Sequence, residues 1–183
     1  DNADIQFWNL NECRINNSHM ESIIASGATF KYSELVDDIL KVAIADRADF
    51  DNAILKNVDF TYAYLTVANF TETIIEFTNF NTTNMEGALF KDSELKCVSF
   101  DMANLTAANF NGAVLEEVDF LGANLTRANL TGVIIKNCQW HVCIMEGAIL
   151  DDVDISPFDL EDESIIEMLS AADLSNAVWD NVT

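Results

Sequence analysis

The chain has 183 residues, half of them hydrophobic, and a formal net charge of −22 at pH 7. The length suits a single domain with a sizeable core, and no apolar run reaches the roughly 18 residues of a membrane span. Nine Lys and Arg against 31 Asp and Glu exclude the basic surface that nucleic-acid binding requires. We therefore expect no direct nucleic-acid binding, and any charged partner should be basic. The chain starts at Asp1 with no basic and apolar leader, so we expect a soluble chain without a targeting signal, whose localisation stays open.

A five-residue repeat begins within the first residues. Every fifth residue from Ile5 to Leu160 is large and apolar, with only Ala25 and Ala45 as exceptions. The residue two positions earlier is Ala, Ser, Thr, Val or Cys, except at Trp8, Ile23, Asp38 and Phe158. Neither a helix of 3.6 residues per turn nor a strand of period two keeps this pattern on one face, whereas a chain that turns a corner every five residues does. The repeat predicts a square coil of 20 residues, with the large and the small residue both pointing inward.

The stretch from 34 to 45 allows two interpretations. Asp38 occupies an inward slot that the repeat reserves for a small residue. Residues 34–45 therefore either continue the coil or form an amphipathic helix inserted between coils.

Residues that lie twenty apart should stack above one another. Nine of the twelve phenylalanines then fall on two opposed inner columns, where their rings can stack in register. Residues 1–160 make about eight such coils, and at a strand spacing of about 4.8 Å the rod is roughly 38 Å long. The predicted core contains Phe50, Phe60, Phe70, Phe80, Phe90, Phe100, Phe110, Phe120 and Trp140.

The segments 103–107 (ANLTA), 108–112 (ANFNG) and 123–127 (ANLTR) resemble the pentapeptide-repeat family. Its motif is Ala, then Asp or Asn, then Leu or Phe, followed by two variable residues. The resemblance covers roughly residues 1–160 and implies an all-β solenoid, a right-handed quadrilateral β-helix. It leaves the function open, because members of this family do many different things.

The frame breaks after Leu160. Residues 162–169 predict a short helix with acidic residues in its first turn, and the motif resumes one residue out of step near Ala172 and Ala177. We therefore divide the chain into a β-helix at 1–160 and a C-terminal cap at 161–183, which covers the open end of the solenoid. The resemblance implies an alternative role for the cap, because a C-terminal helix mediates dimerisation in some family members.

Few residues suggest chemistry. The chain has no Gly-rich phosphate loop and no Cys-pair or His-Glu-His metal motif, so we predict neither an enzyme nor a cofactor. His19 and His141 fall six coils apart and should not share a metal. Three cysteines occupy inward small-residue slots, Cys13, Cys138 and Cys143, while Cys97 should face outward. A Cys138–Cys143 disulfide and reduced core cysteines both remain open.

A weak calcium candidate lies near the end of the repeat. Four residues occupy positions 1, 3, 5 and 12 of an EF-hand-like loop, namely Asp152, Asp154, Ser156 and Glu163. Pro157 stands where such a loop requires glycine, so we favour a solvated acidic cap without a bound metal.

The outward columns predict a possible binding surface. One column alternates in sign along Lys56, Glu76, Lys96, Glu116 and Lys136, which should stabilise the stack modestly. Beside it runs an exposed stripe of Ile54, Ile74, Val114 and Ile134, interrupted by Glu94. High β propensity explains this stripe about as well as partner binding does. The outward Asn84, Asn104, Asn109, Asn124 and Asn129 are expected to form turns or hydrogen bonds along the stack.

Two functions follow from these features. The first is a non-enzymatic structural or protein-binding scaffold that presents flat faces to an unidentified protein partner, with the isoleucine and valine stripe as its candidate surface. The alternative is an acidic DNA mimic that binds a type II topoisomerase such as gyrase, which the resemblance implies because some family members act this way. Residues 146–183 hold 11 acidic and no basic residues, so half of the net charge belongs to the end of the chain rather than to the rod.

Overall fold

The computed structural model describes residues 3–154 and 163–173. Residues 3–154 form a coil with four flat sides, and one side carries a sheet of seven parallel strands in chain order. The strands are β1 (Arg14–Asn16), β2 (Glu34–Val36), β3 (Ile54–Lys56), β4 (Ile74–Glu76), β5 (Glu94–Lys96), β6 (Val114–Glu116) and β7 (Ile134–Lys136).

Within residues 3–154 the register of the stack is 20 residues. Leu55 of β3 pairs with Leu35 on one side and Ile75 on the other, and every other strand pair keeps the same offset. Isolated parallel bridges repeat this offset on the remaining three sides. The predicted β-solenoid with a 20-residue coil is therefore confirmed.

On each side of the coil, the residue between the small and the large inward residue points outward, and we call it the mid-face residue. Each of the four faces comprises a column of mid-face residues together with the outward residues two positions before and after each of them. The strand face carries β1–β7, and the opposite side is the tyrosine face, whose mid-face column includes Tyr64. The remaining two sides are the Asn109 face and the Asp119 face, whose mid-face columns include Asn109 and Asp119 respectively. Six full turns separate the first and last of the seven strands. Partial turns at residues 3–13 and 137–154 extend the coil, so the number of described turns is slightly smaller than the eight predicted.

Three corners of each coil are hydrogen-bonded turns. In the turn from Phe50 to Ala53, the Ala53 N–H donates to the Phe50 carbonyl at 2.9 Å, and the third residue, Asn52, has a φ of 57°. A positive φ at the third position is typical of a type II turn. The same left-handed conformation recurs at every fifth residue from Phe7 to Asp152.

The fourth corner follows each strand and shows no such turn bond within residues 3–154. Inward polar side chains accept the backbone N–H there in two of the coils. The Ser18 N–H donates to Asp38 Oδ1 at 2.7 Å, and the Val58 N–H donates to Thr78 Oγ1 at 3.4 Å. Asp38 therefore has a local role at this corner, although its Oδ2 is buried without a hydrogen-bond partner among the described residues.

Residues 34–45 continue the coil. Glu34 starts β2, and bridges join Ile39 to Asp59 and Ile44 to Tyr64 at the usual offset. No helix is inserted between these coils. An aspartate fits the inward slot because its side chain accepts a backbone hydrogen bond from the coil below.

The core contains two columns of stacked aromatic rings. Within each column the ring centroids lie 4.5–5.4 Å apart, and the rings are nearly parallel. The two columns meet edge to face, with centroids 5.6–6.3 Å apart. Parallel offset rings and edge-to-face rings are both favourable arrangements. All nine predicted core residues, from Phe50 to Trp140, are buried here.

A single described helix, α1 (Glu163–Ser170), covers the C-terminal end of the coil. It buries three apolar residues on one face, Ile165, Met168 and Leu169. The chain then rejoins the stack, because the Gly147 N–H donates to the Ala171 carbonyl at 2.8 Å and the Asp173 N–H donates to the Ala148 carbonyl at 2.7 Å. The predicted short C-terminal helix is confirmed.

Some predicted features lie outside the described residues: Ile155, Ser156, Pro157, Phe158, Leu160 and Ala177. Across the part of the chain that the structure describes, no helix has the length and apolar character needed to cross a membrane.

Candidate functional site

The faces of the coil differ in charge. The outward residues of the Asp119 face include six acidic residues and one basic residue, namely Glu21, Asp37, Asp59, Asp101, Glu117 and Asp119 against Lys41. The Asn109 face balances three acidic residues with four basic ones, namely Asp49, Asp51 and Asp151 against Lys31, Arg47, Lys91 and Arg127. The outward residues of the other two faces are also net negative within residues 3–154, so the Asn109 face alone is balanced, a distribution that the sequence totals did not reveal.

On the strand face, the predicted column of alternating charges forms ion pairs between coils. Lys56 Nζ lies 3.1 Å from Glu76 Oε2, Lys96 donates a hydrogen bond to Glu116, and Lys136 Nζ lies 4.0 Å from the same carboxylate. The hydrogen bond raises the pKa of Lys96 and lowers the pKa of Glu116. These groups are exposed, so each pair contributes little to stability.

Beside this column lies the predicted stripe of Ile54, Ile74, Val114 and Ile134, each at the mid-face position of its strand. Ile74 and Ile134 are exposed, whereas Ile54 and Val114 are half-buried. The exposed Glu94 divides the stripe and lies over a shallow depression of about 100 Å³. The structure thus places the four predicted residues on one flat surface with a polar interruption.

The outward asparagines act mainly within their own coils. Asn124 Oδ1 accepts the Thr126 N–H at 3.0 Å, and Asn129 Oδ1 accepts the Thr131 N–H at the same distance. One asparagine pair also bonds along the stack, because Asn104 Nδ2 donates to Asn84 Oδ1 at 3.0 Å. Turn formation is therefore the commoner role of these side chains.

The tyrosine face carries exposed apolar side chains that sequence reasoning missed. Tyr62 is 58% exposed and Tyr64 is 49% exposed on the same coil, and Met102 is 62% exposed two coils further along. These residues line a groove of about 390 Å³ together with Thr82 and Asn84. The signal was available in the sequence, because Tyr62, Tyr64 and Met102 occupy outward positions of the repeat.

All four cysteines are free. The Cys143 thiol is buried beneath α1, where its Sγ lies 2.9 Å from Met168 Sδ, and burial raises its pKa to about 12. Burial also raises the pKa of Cys138. The disulfide left open between these two residues is not formed, and both thiols contribute apolar packing. Cys97 lies at an outward corner, as expected, and Cys13 is half-buried near the first coil.

No group of three or more His, Cys, Asp or Glu side chains that could hold a metal occurs in residues 3–154 and 163–173. The calcium candidate includes Ser156, which lies outside those ranges, so binding by Asp152, Asp154, Ser156 and Glu163 stays a prediction. A calcium titration that leaves the melting temperature unchanged would remove it.

A family model described as pentapeptide repeat region matches residues 53–130. The match is to the family that the repeat predicts, and the four-sided coil extends the same frame over residues 3–154. No curated protein matches the chain.

Several solved pentapeptide-repeat structures are similar to this chain. HetL of the cyanobacterium Nostoc sp. strain PCC 7120, involved in heterocyst differentiation regulation, is 20% identical, with 79% of this chain and 90% of HetL covered and a TM-score of 0.32. A trypsin-treated form of QnrB1, a plasmid-mediated fluoroquinolone resistance protein, is 16% identical, with coverages of 99% and 88% and a TM-score of 0.48. A pentapeptide repeat protein of the Arabidopsis thaliana thylakoid lumen is 25% identical, with coverages of 68% and 79% and a TM-score of 0.31.

Proposed function

We propose that this chain is a non-enzymatic protein-binding scaffold whose strand face docks a protein partner. The observation that carries this proposal is the apolar stripe of Ile54, Ile74, Val114 and Ile134 on a sheet of seven parallel strands. The aromatic columns fill the interior, so the outer faces are the surfaces that a partner can reach. A rigid and flat surface suits docking because little conformational entropy is lost when it binds.

The charges around the stripe indicate a basic partner. Glu72 borders the stripe and Glu94 interrupts it, and neither forms an ion pair with another described residue. On the other border, the Lys56 and Lys96 ammonium groups are already paired with glutamates. A partner with an apolar strip and Lys or Arg along one edge would complement this surface.

A single substitution with a matched control tests the docking surface. Ile74 is 38% exposed at the mid-face position of the strand face, and Ile149 is 39% exposed at the mid-face position of the Asn109 face. In a quantitative pull-down from the source organism, we expect a protein captured by the wild type to be retained about tenfold less by Ile74→Lys and equally well by Ile149→Lys. Equal retention by both variants would remove the strand face as the binding surface.

A second candidate function is an acidic DNA mimic that binds a type II topoisomerase. The acidic excess on the Asp119 face favours it, whereas the balanced Asn109 face opposes it, because a DNA duplex is negative all around its circumference. A gyrase supercoiling assay tests this alternative. If micromolar protein neither inhibits nor protects gyrase, the DNA-mimic function is discarded.

Dimerisation through the C-terminal end belongs to the same proposal. Ile166 of α1 is an exposed apolar side chain on the helix that covers this end of the coil. Analytical ultracentrifugation tests this dimer contact: we expect the wild type to sediment as a dimer and Ile166→Glu as a monomer. If both sediment as monomers, there is no such contact.

A further inference from the structure

The groove on the tyrosine face has two ridges and a low floor. Tyr62 and Tyr64 form one ridge and Met102 forms the other. The coil between them contributes the shorter side chains of Thr82 and Asn84, since mid-face residues 64, 84 and 104 are successive bridge partners. Two coil steps amount to about 10 Å. The space between the ridges is therefore wide enough for one ring-shaped group with its faces against the ridges.

The lining of this groove is uncharged, although the chain has a net charge of −22. Its described lining residues are Tyr62, Ala63, Tyr64, Thr82, Thr83, Asn84, Met102 and Asn104. An ionic ligand would find no opposite charge there to replace its lost hydration. The ridges offer aromatic rings and a thioether, while the floor offers a hydroxyl and an amide. This arrangement suits a neutral ligand that has both apolar and hydroxyl-rich surfaces.

Several polar groups of the groove have unused hydrogen-bonding capacity. The phenol hydroxyls of Tyr62 and Tyr64 and the Thr82 Oγ1 form no hydrogen bond with other described residues. Asn84 Oδ1 accepts from Asn104 Nδ2 at 3.0 Å, which leaves the Asn84 amide protons as donors. The groove therefore presents hydroxyls that can both donate and accept, together with an amide donor.

The backbone N–H groups of the residues that line the groove are already engaged in hydrogen bonds. The Tyr64 N–H donates to the Ala43 carbonyl at 2.8 Å, and the Asn84 N–H donates to the Ala63 carbonyl at 3.0 Å. An extended peptide binds a sheet mainly by pairing with free backbone groups at an edge. No such edge exists in this groove, so the observations favour a ligand that side chains recognise.

We propose that this groove binds neutral pyranose units of a glycan. A pyranose ring has faces rich in C–H bonds, which pack against aromatic rings, and a rim of hydroxyls that donate and accept hydrogen bonds. The tyrosine ridge matches the faces, and Thr82 and Asn84 match the rim. The groove is open along the surface, so the chain of a longer saccharide can continue past it. This site is on the face opposite the proposed protein-docking surface and stands independently of it.

The chain contains a matched control for this proposal. Tyr32 is 61% exposed and occupies the same left-handed corner position as Tyr62, with φ values of 56° and 62°, but it belongs to the strand face. Replacing Tyr32 removes the same side chain from a similar backbone without touching the groove.

The test uses an immobilised panel of neutral oligosaccharides built from glucose, mannose, galactose, xylose and N-acetylglucosamine, followed by calorimetric titration with the hexasaccharide that is retained. We expect binding to the wild type and to Tyr32→Ala with equal affinity, and affinity at least tenfold weaker for Tyr62→Ala and for Tyr64→Ala. Thr82→Val keeps the shape of the floor but removes its hydroxyl, and should weaken binding severalfold. Urea denaturation of each variant confirms that the coil is intact.

Three results would overturn the proposal. The first is retention of no neutral saccharide at millimolar concentration, and the second is an equal loss of binding in Tyr32→Ala. The third is binding of random extended peptides, but of no saccharide, that is lost in Tyr62→Ala. That result would mean that the groove binds a protein segment.

Discussion

Each corner of the coil holds one residue in the left-handed conformation, whatever its side chain. A positive φ costs a non-glycine residue roughly 1–2 kcal/mol, because Cβ approaches the following carbonyl oxygen. All six glycines of the chain lie at such corners, but so do the β-branched Val42 and Val142. The stacked backbone hydrogen bonds therefore impose this conformation even where the local residue opposes it.

Gly132 offers a direct measurement of this corner strain. A Cβ at Gly132 would meet nothing within 4 Å, so the Gly132→Ala substitution adds only the strain of a φ of 64°. We expect it to lower the free energy of unfolding by about 1 kcal/mol. The reverse change at an equivalent corner, Ala107→Gly, where φ is 55°, should raise it by less than about 1 kcal/mol. Urea denaturation measures both, and a neutral Gly132→Ala would show that the corner carries no strain.

Asp38 makes the stability of the first coils depend on pH. Burial raises the pKa of Asp38, and this effect outweighs the hydrogen bonds that lower it. Because the folded pKa lies above the ordinary value, the stability that Asp38 contributes is fully present below the ordinary pKa of an aspartate. It is lost as the pH rises through the raised pKa of the folded state.

Substitution by threonine tests this dependence, because Thr78 shows that a threonine at this column accepts the same backbone N–H. At pH 7 we expect Asp38→Thr to be more stable than the wild type by about 1 kcal/mol, since it removes a buried oxygen without a partner. The difference should shrink as the pH falls from 7 to 4. Asp37→Asn, at the exposed neighbouring position, controls for the lost negative charge because Asn also tolerates the φ of 58° there. A difference that stays constant with pH would contradict the raised pKa.

At the scale of elements, the two aromatic columns hold the coils in register. Phe90 stacks on Phe70 and Phe110 at centroid distances of 5.0 and 4.7 Å, and meets Phe80 and Phe100 edge to face. Each buried ring therefore contacts the coils above and below as well as the opposite wall. Strands of three residues are short, so side-chain stacking must supplement their hydrogen bonds.

We expect Phe90→Ala to lower the free energy of unfolding by about 3–5 kcal/mol, because the truncation leaves a cavity within a column of stacked rings. Phe90→Leu should cost less, since the same column contains Leu130, which is buried. Phe77→Ala is the matched control, because Phe77 is 59% exposed at an outward corner and should change stability by less than about 0.5 kcal/mol. Chemical denaturation measures all three, and equal losses at positions 90 and 77 would refute the role of the column.

For the whole molecule, the excess of negative charge opposes compaction. The described lysines largely pair with carboxylates on neighbouring coils, for example Lys31 with Asp49 at 2.9 Å and Lys41 with Asp59 at 3.1 Å. The remaining acidic groups repel one another, and most of the Asp119 face has no cation to balance it. Exposed ion pairs contribute little, so repulsion should dominate the net electrostatic free energy.

Raising NaCl from about 10 mM to about 300 mM should therefore raise the melting temperature at pH 7 by roughly 2–4 °C, which corresponds to about 1 kcal/mol for a chain of this size. The effect should diminish at pH 4, where fewer carboxylates are ionised. A melting temperature that falls with salt would mean that the ion pairs outweigh the repulsion.

Sequence reasoning predicted the fold far better than the site. The large apolar residue at every fifth position, mostly Phe or Leu, specified the coil length and the aromatic columns. A one-residue shift in frame would expose every one of these side chains. It left open whether residues 34–45 around Asp38 form a coil or a helix, because the hydrogen bond from the Ser18 N–H to Asp38 becomes visible only once the fourth corner is built. It also passed over Tyr62 and Tyr64, because the exposure of an outward side chain depends on packing that the 20-residue register alone does not give.

The amino-acid sequence by itself determined the five-residue period, the inward and outward faces and the 20-residue coil. These properties follow from which residues avoid water, and that preference is local and repeats along the chain. Only the tertiary structure decided how far each outward side chain is exposed and that residues 62, 82 and 102 line a groove, because both depend on how side chains pack in the stacking of coils. The groove on the tyrosine face and the uneven charge of the four faces are both products of that stacking.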